Sequence, residues 1–180
     1  MNFCSCCGAP VVLRVPPGDS VPRHVCDACG EIHYINPKMV VGAIAEYQGK
    51  VLLCRRGIEP RRGLWTLPAG FMEMGETTAD GARRETLEEA CANVNIDALY
   101  SVVNVTHINQ VHIFFRATLK VPEFAAGEES LDVQLFDEAD VPWAEIAFRS
   151  VATSLRQYFT DRRTGQFGCH CINLPPPDPV

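Results

Sequence analysis

The stretch "GETTADGARRETLEEA", Gly75–Ala90, contains the strongest helix signal in this chain. Thr77, with Asp80 three residues later, forms a capping-box-like helix start. The alanine, arginine, glutamate and leucine residues that follow are good helix formers. The sequence therefore predicts a helix over 77–90.

Three glutamates in this helix, Glu85, Glu88 and Glu89, crowd into five residues. Like charges four apart on a helix repel by roughly 0.2–0.5 kcal/mol per pair. At about 100° per residue the three carboxylates share one face, where they would form a site for a hard divalent cation. An acidic face exposed only to solvent is the alternative that this stretch leaves open. The opposite side, predicted to pack on a sheet, carries Ala79, Ala82, Leu87 and Ala90.

The composition is that of an ordinary globular protein. The chain has 180 residues, 47% hydrophobic and 21% charged, enough for one core with a small added module. Its formal net charge of −6 argues against broad attraction to nucleic acid or an anionic membrane. Its apolar runs are far shorter than the roughly 20 residues of a membrane-spanning helix, and the N-terminus lacks a signal-peptide layout. We therefore expect a cytoplasmic protein that binds neither nucleic acid nor membrane.

The composition changes near residue 36, and three segments are predicted: a cysteine-rich module at 1–35, a main domain at 36–162 and a partly irregular extension at 163–180. Two pairs of β-rich runs, "MVVGAIAEY" with "KVLLCRR" and "LYSVVNVTH" with "QVHIFFRATL", predict two hairpins. A second helical region is predicted from "PWAEIAF" to about Phe159. The proline-rich end "NLPPPDPV" cannot continue a helix.

Four of the nine cysteines form two C-x-x-C pairs, Cys4 with Cys7 and Cys26 with Cys29. Their spacing predicts a four-thiolate zinc site. With every position filled by protein, the zinc would be structural and would supply folding free energy that so short a module cannot gain from apolar burial. A redox or coincidental cysteine cluster is the alternative.

The remaining metal-ligand residues do not predict a second site. His24 and His33, beside the second cysteine pair, are interpreted as surface residues. The run Cys169-His170-Cys171 could hold a metal, but three consecutive residues rarely form a site, and we favour the interpretation without one.

The spacing of charged residues around the helix is specific. A glycine, five residues, a glutamate, seven residues, Arg-Glu, two residues and Glu-Glu follow one another in "GFMEMGETTADGARRETLEEACA". This order resembles the Nudix box. The matching positions are Gly70, Glu76, Arg84, Glu85, Glu88 and Glu89.

The last turn departs from the family pattern. Cys91 stands where the family has glycine, Ala92 is a weak hydrophobic residue, and Thr86 replaces an aliphatic one. Because a cysteine with positive φ would be strained, we expect the helix to end differently here.

The resemblance implies an α+β fold, an α/β/α sandwich with a mixed sheet at 36–162, preceded by a small zinc ribbon at 1–35. It implies that Glu76 and Arg84 brace the loop and orient the catalytic glutamates. The general base varies in the family, and Glu89 and Glu129 are both candidates. The implied Mg²⁺ or Mn²⁺ ligands are the Gly70 carbonyl and the carboxylates of Glu85, Glu88 and Glu89.

Nudix enzymes hydrolyse the diphosphate of nucleoside diphosphates linked to another group, so a small-molecule nucleotide substrate is implied. A zinc ribbon before the domain resembles the NADH pyrophosphatase branch, but its "SQPWPFP"-type segment is absent here. The chain looks closer to zinc-ribbon FAD pyrophosphohydrolases, which convert FAD to FMN and AMP. Hydrolysis of ADP-ribose or NADH, and a non-catalytic nucleotide sensor, are the alternatives. A homodimer is expected only from the family.

Four residues outside the box are candidate substrate contacts. Arg55 and Arg56 end a predicted strand and would hold phosphate oxygens through their planar guanidinium groups. Trp65 and Phe71 would stack on an adenine or isoalloxazine ring. Surface exposure for the arginines and core packing for Trp65 are the alternatives.

Overall fold

A computed structural model describes residues 1–177 of the chain. It contains two compact units, Met1–Asn36 and Pro37–Val180. Within the described residues, every helix is too short or too polar to cross a membrane.

The smaller unit is a three-stranded antiparallel sheet with turns that carry the cysteines. Its strands, in sheet order, are β1 (Val11–Arg14), β2 (Arg23–Cys26) and β3 (Ile32–His33). Gly8 and Gly30 each follow a C-x-x-C pair, with φ of 76° and 78°. Their amides donate to the carbonyls of Cys4 and Cys26 at 3.0 and 2.9 Å. Glycine adopts this backbone without strain, so both turns close tightly.

The larger unit is a mixed sheet with two helices. Its elements are β4 (Lys38–Tyr47), β5 (Lys50–Arg56), β6 (Trp65–Thr66), β7 (Ala69–Phe71), α1 (Thr78–Ala90), β8 (Val94–Val105), β9 (Gln110–Leu119), β10 (Ser130–Phe136), α2 (Arg149–Thr164) and β11 (His170–Asn173).

The strand order in the sheet is β10-β5-β4-β9-β8-β11, with β6 paired to β5 and β7 to β4. The central strand β4 pairs in parallel with β9, and β11 pairs in parallel with β8. The other neighbouring strands are antiparallel.

The helices cover opposite faces of the sheet. Along β4, Ile44 packs in one core cluster with Leu155 of α2. Ala43 and Ala45 pack in a second cluster with Ala90, the last residue of α1. Because successive strand residues point to opposite faces, the sheet lies between α1 and α2. The predicted α+β class with an α/β/α sandwich is confirmed.

Both predicted hairpins form. β4 and β5 are joined by Gln48 and Gly49, with φ of 50° and 82°, as expected for a two-residue turn with positive φ at both central positions. β8 and β9 are joined by Thr106–Asn109, which includes a short 3-10 helix at Thr106–Ile108.

The C-terminal extension is more ordered than its composition suggests. β11 pairs with β8 from His170↔Ser101 to Asn173↔Asn104, and Leu174 is buried in the core. Residues 178–180 of the proline-rich end lie outside the described residues.

Helix α1 begins as predicted, since the side chain of Thr77 accepts a hydrogen bond from the Asp80 amide at 3.1 Å. The predicted packing face is wrong in part, however, because Leu87 is 49% exposed whereas Glu85 and Glu89 are buried. The side of α1 that meets the sheet therefore carries two of the clustered carboxylates. Chemistry and packing share one face, instead of lying on opposite faces.

The end of α1 also differs from expectation. Cys91 is the C-cap residue in the left-handed conformation, φ 49° and ψ 28°. The helix therefore ends as it would with the family's glycine, and the expectation of a different ending is wrong. The hydrogen bond from the Cys91 amide to the Thr86 carbonyl closes the turn, which imposes the positive φ despite the side chain.

Replacing Cys91 with glycine should stabilise the protein. Relief of the left-handed strain is worth about 1–2 kcal/mol, and the greater freedom of glycine in the unfolded chain offsets part of it. We expect the free energy of unfolding in urea to rise by roughly 0.5–1 kcal/mol. Cys169→Gly, at an exposed position without positive φ, is the control and should give no gain. Equal stability of wild type and Cys91→Gly would contradict the strain.

Candidate active site

The candidate site lies where β7 packs against the inner face of α1, the side that carries Glu85 and Glu89. This place is called here the β7–α1 corner. β7 pairs antiparallel with β4, with Gly70 opposite Val41. The Ala69 amide donates to Glu89 Oε2 at 3.0 Å, which ties the last turn of α1 to β7. A Cβ on Gly70 would collide with the Glu85 carboxylate. With glycine at this position, the Glu85 carboxylate lies directly against the β7 backbone.

The Arg84 guanidinium binds the carboxylates that flank this corner. Its Nε and Nη2 donate to the two oxygens of Glu76 at 3.0 and 2.8 Å. Its Nη1 donates to Glu85 Oε1 at 2.7 Å and to Glu88 Oε2 at 2.9 Å. Nη2 also reaches the Phe71 carbonyl at 3.2 Å. One arginine thus connects both ends of the box to β7.

Glu76 anchors this arginine. The Glu73 amide donates to Glu76 Oε1 at 2.7 Å. Hydrogen bonds from Arg84 and from that amide lower the pKa of Glu76 to about 2. Glu76 is therefore ionised at neutral pH, and it holds Arg84 through a bidentate charge-assisted contact.

The carboxylates on the inner face have raised pKa values. Burial, together with the charges of Glu85 and Glu129, raises the pKa of Glu89 to about 7 against the opposing Ala69 amide and Arg56 charge. Burial also raises the pKa of Glu85, assisted by the charges of Glu88 and Glu129 and opposed by Arg84. Burial and mutual repulsion thus disfavour the ionised form of these two carboxylates.

This donor set suits a hard divalent cation, which takes carboxylate and carbonyl oxygens as ligands. In the present arrangement Arg84 Nη1 lies between Glu85 and Glu88, bonded to both. These two carboxylates therefore converge on one point and would serve together as ligands of such a cation.

A third segment brings Glu129 to the site. The Gly57 amide donates to the Glu129 carbonyl at 2.7 Å, just before β10 begins. The charge of Glu129 raises the pKa of both Glu85 and Glu89. The side chain is exposed, and so is accessible to a substrate.

The structure separates the two predicted phosphate-binding arginines, because successive residues of β5 point to opposite faces. Arg56 is buried, its Nε donates to the Pro60 carbonyl at 2.8 Å, and its charge lowers the pKa of Glu89. Arg55 is exposed, and its Nε donates to the Gly63 carbonyl at 2.8 Å. Of these two arginines, only Arg56 acts electrostatically on Glu89 in the β7–α1 corner.

The two predicted stacking residues also differ. Trp65 is 7% exposed and packs edge to face against Phe136, with ring centroids 5.0 Å apart. Its indole belongs to the core and offers no free face for a substrate ring. Phe71 is 52% exposed, with Lys38 Nζ 5.1 Å from its ring centroid. The sequence did not single out Lys38, because only the pairing of β4 with β7 brings it to Phe71.

The four ribbon cysteines converge. Their sulfurs all lie within 4.8 Å of one another, with Cys4 to Cys29 at 3.7 Å and Cys7 to Cys26 at 3.5 Å. Tetrahedral zinc with Zn–S bonds of about 2.3 Å requires sulfur separations of about 3.8 Å. The donor set and its spacing therefore fit a closed structural zinc site.

His33 supports this cluster. It is buried on β3, and its Nε2 lies 3.3 Å from Cys4 Sγ, so its interpretation as a surface residue is wrong. Burial raises the pKa of the Cys4 thiol, but hydrogen bonds from the Cys7 and Cys6 amides and from His33 outweigh it and lower the pKa to about 6. The thiolate form that binds metal is thereby favoured.

The C-terminal run Cys169-His170-Cys171 has another role. His170 Nε2 lies 2.6 Å from Asp161 Oδ2, and Asp161 also accepts from the Tyr100 hydroxyl at 2.9 Å. Both cysteines are exposed. His170 thus joins β11 to α2 and β8.

Two family models match the chain: "NUDIX domain" at residues 36–156 and "Nudix N-terminal", a zinc-ribbon model, at residues 2–35. The ADP-ribose pyrophosphatase of Methanocaldococcus jannaschii is 30% identical over 61% of this chain and 67% of its own length. The NAD-capped RNA hydrolase NudC of Stutzerimonas stutzeri is 28% identical over 92% of this chain. The chain spans 33% to 58% of the lengths of the NudC relatives from three bacteria.

A solved structure covers nearly the whole chain. The crystal structure of a NUDIX hydrolase from Nitrosomonas europaea is 53% identical, with a TM-score of 0.91 over 97% of this chain and all of that one. Since the domain match and this structure both include the β7–α1 corner, the chain belongs to the Nudix hydrolase family.

Proposed function

We propose that this protein hydrolyses the diphosphate linkage of a nucleoside diphosphate joined to a second group. One observation carries the proposal: Arg84 binds Glu76, Glu85 and Glu88 together, at 2.7 to 3.0 Å. Beside them is Gly70, where a Cβ would collide with the Glu85 carboxylate. An acidic helix face exposed only to solvent would need neither the arginine nor the glycine.

The cation-binding residues in this proposal are the carboxylates of Glu85, Glu88 and Glu89 and the carbonyl of Gly70. Mg²⁺ or Mn²⁺ held there would neutralise charge on the diphosphate and polarise the attacking water. The three ligands come from two turns of one helix and the fourth from β7, which the Ala69–Glu89 hydrogen bond holds together.

The chain itself would supply the other functions. Arg84, held by Glu76, would orient the Glu85 and Glu88 carboxylates that hold the cation. Arg56 contributes positive charge next to Glu89, where phosphate oxygens would bind. Glu89 or Glu129 would accept the proton of the water that attacks phosphorus, and the P–O bond to the leaving nucleotide then breaks.

An ADP-containing substrate is proposed. The relatives are named for ADP-ribose and for NAD-capped RNA, both of which contain a diphosphate attached to adenosine. FAD, suggested by the sequence resemblance, shares that half. The exposed ring of Phe71, one residue from Gly70, would stack on a base or flavin ring.

A structural zinc ion is proposed for the ribbon, held by Cys4, Cys7, Cys26 and Cys29. The unit contains only 36 residues, too few to bury a self-sufficient core. Zinc would therefore contribute directly to its folding.

A substrate panel tests the proposed reaction. FAD, ADP-ribose, NADH, coenzyme A and a NAD-capped RNA are each incubated with the protein and Mg²⁺ or Mn²⁺, and release of the mononucleotide is followed by chromatography. We expect at least one ADP-containing compound to be cleaved at the diphosphate. Tight binding of one compound without cleavage would support a nucleotide sensor instead, and no cleavage at all would refute the proposed reaction.

Removing one carboxylate tests the cation site. Glu88→Gln and Glu89→Gln should each lower kcat by about 100-fold or more, because charge stabilisation at the reacting phosphate is lost. Glu123→Gln, at an exposed loop position, is the matched control and should retain full activity. Unchanged turnover in both site variants would show that these carboxylates do not act in the reaction.

Zinc analysis tests the ribbon. Purified protein should contain about one zinc per chain, and Cys26→Ser should lose it and make residues 1–36 sensitive to protease. Cys169→Ser, outside the cluster, should keep both the zinc and the resistance. A folded, protease-resistant ribbon without metal would be the contrary result.

A further inference from the structure

The segment from residue 125 to residue 130, called here the 125–130 segment, runs along the C-terminal end of α1. The Ala125 amide donates to the Ala90 carbonyl at 2.9 Å, and the Gly127 amide donates to the Glu89 carbonyl at 3.1 Å. The last carbonyls of a helix have no partner within it. The segment satisfies two of them, and so is held against the turn that carries Glu88 and Glu89.

Gly127 makes this contact possible. A Cβ on Gly127 would overlap the Glu88 carbonyl oxygen and would lie 2.9 Å from its carbon and 3.2 Å from Glu89 Cα. The φ of Gly127 is not positive. Close approach of two backbones, and not an unusual conformation, therefore requires glycine here.

A second glycine holds the other side of the segment. The Gly57 amide, at the end of β5, donates to the Glu129 carbonyl at 2.7 Å. A Cβ on Gly57 would lie 2.9 Å from that oxygen and 3.1 Å from the carbonyl carbon. The Ser130 amide donates to the Gly127 carbonyl at 3.0 Å, which fixes the turn between the two contacts.

The backbone around Glu129 is therefore held on two sides, by Gly127 against the end of α1 and by Gly57 after β5. A Cβ at either glycine would disturb that contact. Glu129 lies 40 residues further along the chain than Glu89, and the backbone contacts of Gly127 and Gly57 bring it to the end of α1. The carboxylate itself is exposed, so its position depends on the backbone that carries it.

We propose that Gly127 and Gly57 are positioning residues that set the distance of the Glu129 carboxylate from the carboxylates of α1. The inference rests on the proposed hydrolysis, and within it on Glu129 as the group that accepts the proton of the attacking water. A displacement of about 1 Å at a reacting group can cost on the order of 100-fold in rate. A Cβ on Gly127 would lie 1.7 Å from the Glu88 carbonyl oxygen and requires a shift of that order. A Cβ on Gly57 requires a smaller shift, but the atom that must move is the carbonyl oxygen of Glu129 itself.

The test uses the full chain and the best substrate of the panel. Gly127→Ala and Gly57→Ala should each lower kcat by about 10- to 100-fold, with KM within about threefold of wild type. Gly168→Ala, where a Cβ meets nothing within 4 Å and φ is not positive, is the matched control and should leave kcat unchanged. Glu129→Gln should lower kcat by about 100-fold or more.

A double-mutant comparison distinguishes positioning from general damage. If the glycines act through Glu129, then Gly57→Ala combined with Glu129→Gln should be no more than about twofold slower than Glu129→Gln alone. Multiplying losses, or full kcat in both glycine variants, would overturn the proposal.

Variants of Glu129 itself test the inference without changing either glycine. Glu129→Asp changes only an exposed side chain and shortens it by one methylene, so it should lose nearly as much kcat as Glu129→Gln even where a glycine variant fails to fold. Full activity of Glu129→Asp and Glu129→Gln would refute the inference while leaving the hydrolysis intact. A wild-type protein that cleaves nothing would refute the proposed hydrolysis itself.

Discussion

The rest of the site depends on the Arg84 guanidinium, which is shared among three carboxylates. Two of its nitrogens bind Glu76 and a third binds Glu85 and Glu88. Without that positive charge the neighbouring carboxylates would repel one another in a corner that is only partly open to solvent. Because the Glu73 amide fixes Glu76, the arginine is directed and does not rotate freely. In the proposed reaction it prepares the carboxylates for a cation that carries more charge.

Close approach of backbones is the second constraint. The side of α1 that packs on the sheet also carries Glu85 and Glu89, so these two side chains are buried where the helix meets the sheet. Gly70 permits the approach on the β7 side, and Gly127 permits it at the end of the helix. Small residues here serve geometry rather than flexibility. The raised pKa values of Glu85 and Glu89 are a consequence of the same burial.

The chain carries two groups of proposed metal ligands of different chemistry. Thiolates are soft ligands that suit zinc, whereas carboxylate and carbonyl oxygens suit Mg²⁺ and Mn²⁺. The thiolates are confined to residues 4–29 and the carboxylates to the β7–α1 corner, so ligand type alone would direct each metal to its own site. The proposed ribbon site would have four protein ligands and would be closed. The acidic corner also faces solvent through Glu88, whose side chain is 57% exposed, as a site that admits substrate must.

The elements that could be predicted from the amino-acid sequence alone are those whose signals are local. The spacing from Gly70 to Glu89, the cap at Thr77, the turn at Gln48-Gly49 and the two cysteine pairs depend on neighbours within a few residues. Each was therefore predictable from helix periodicity, turn chemistry and ligand spacing. The family match confirmed the fold that the resemblance to the Nudix box implied.

Which side of each element is buried, and which residues it contacts, depends on the tertiary structure and could not be predicted from local patterns. Leu87 faces solvent because the sheet packs against Glu85 and Glu89, Trp65 joins the core through Phe136, and His33 turns toward Cys4. Cys91 accepts a left-handed backbone because the helix end is closed around it. These outcomes depend on contacts between segments distant in the sequence, which no local pattern records.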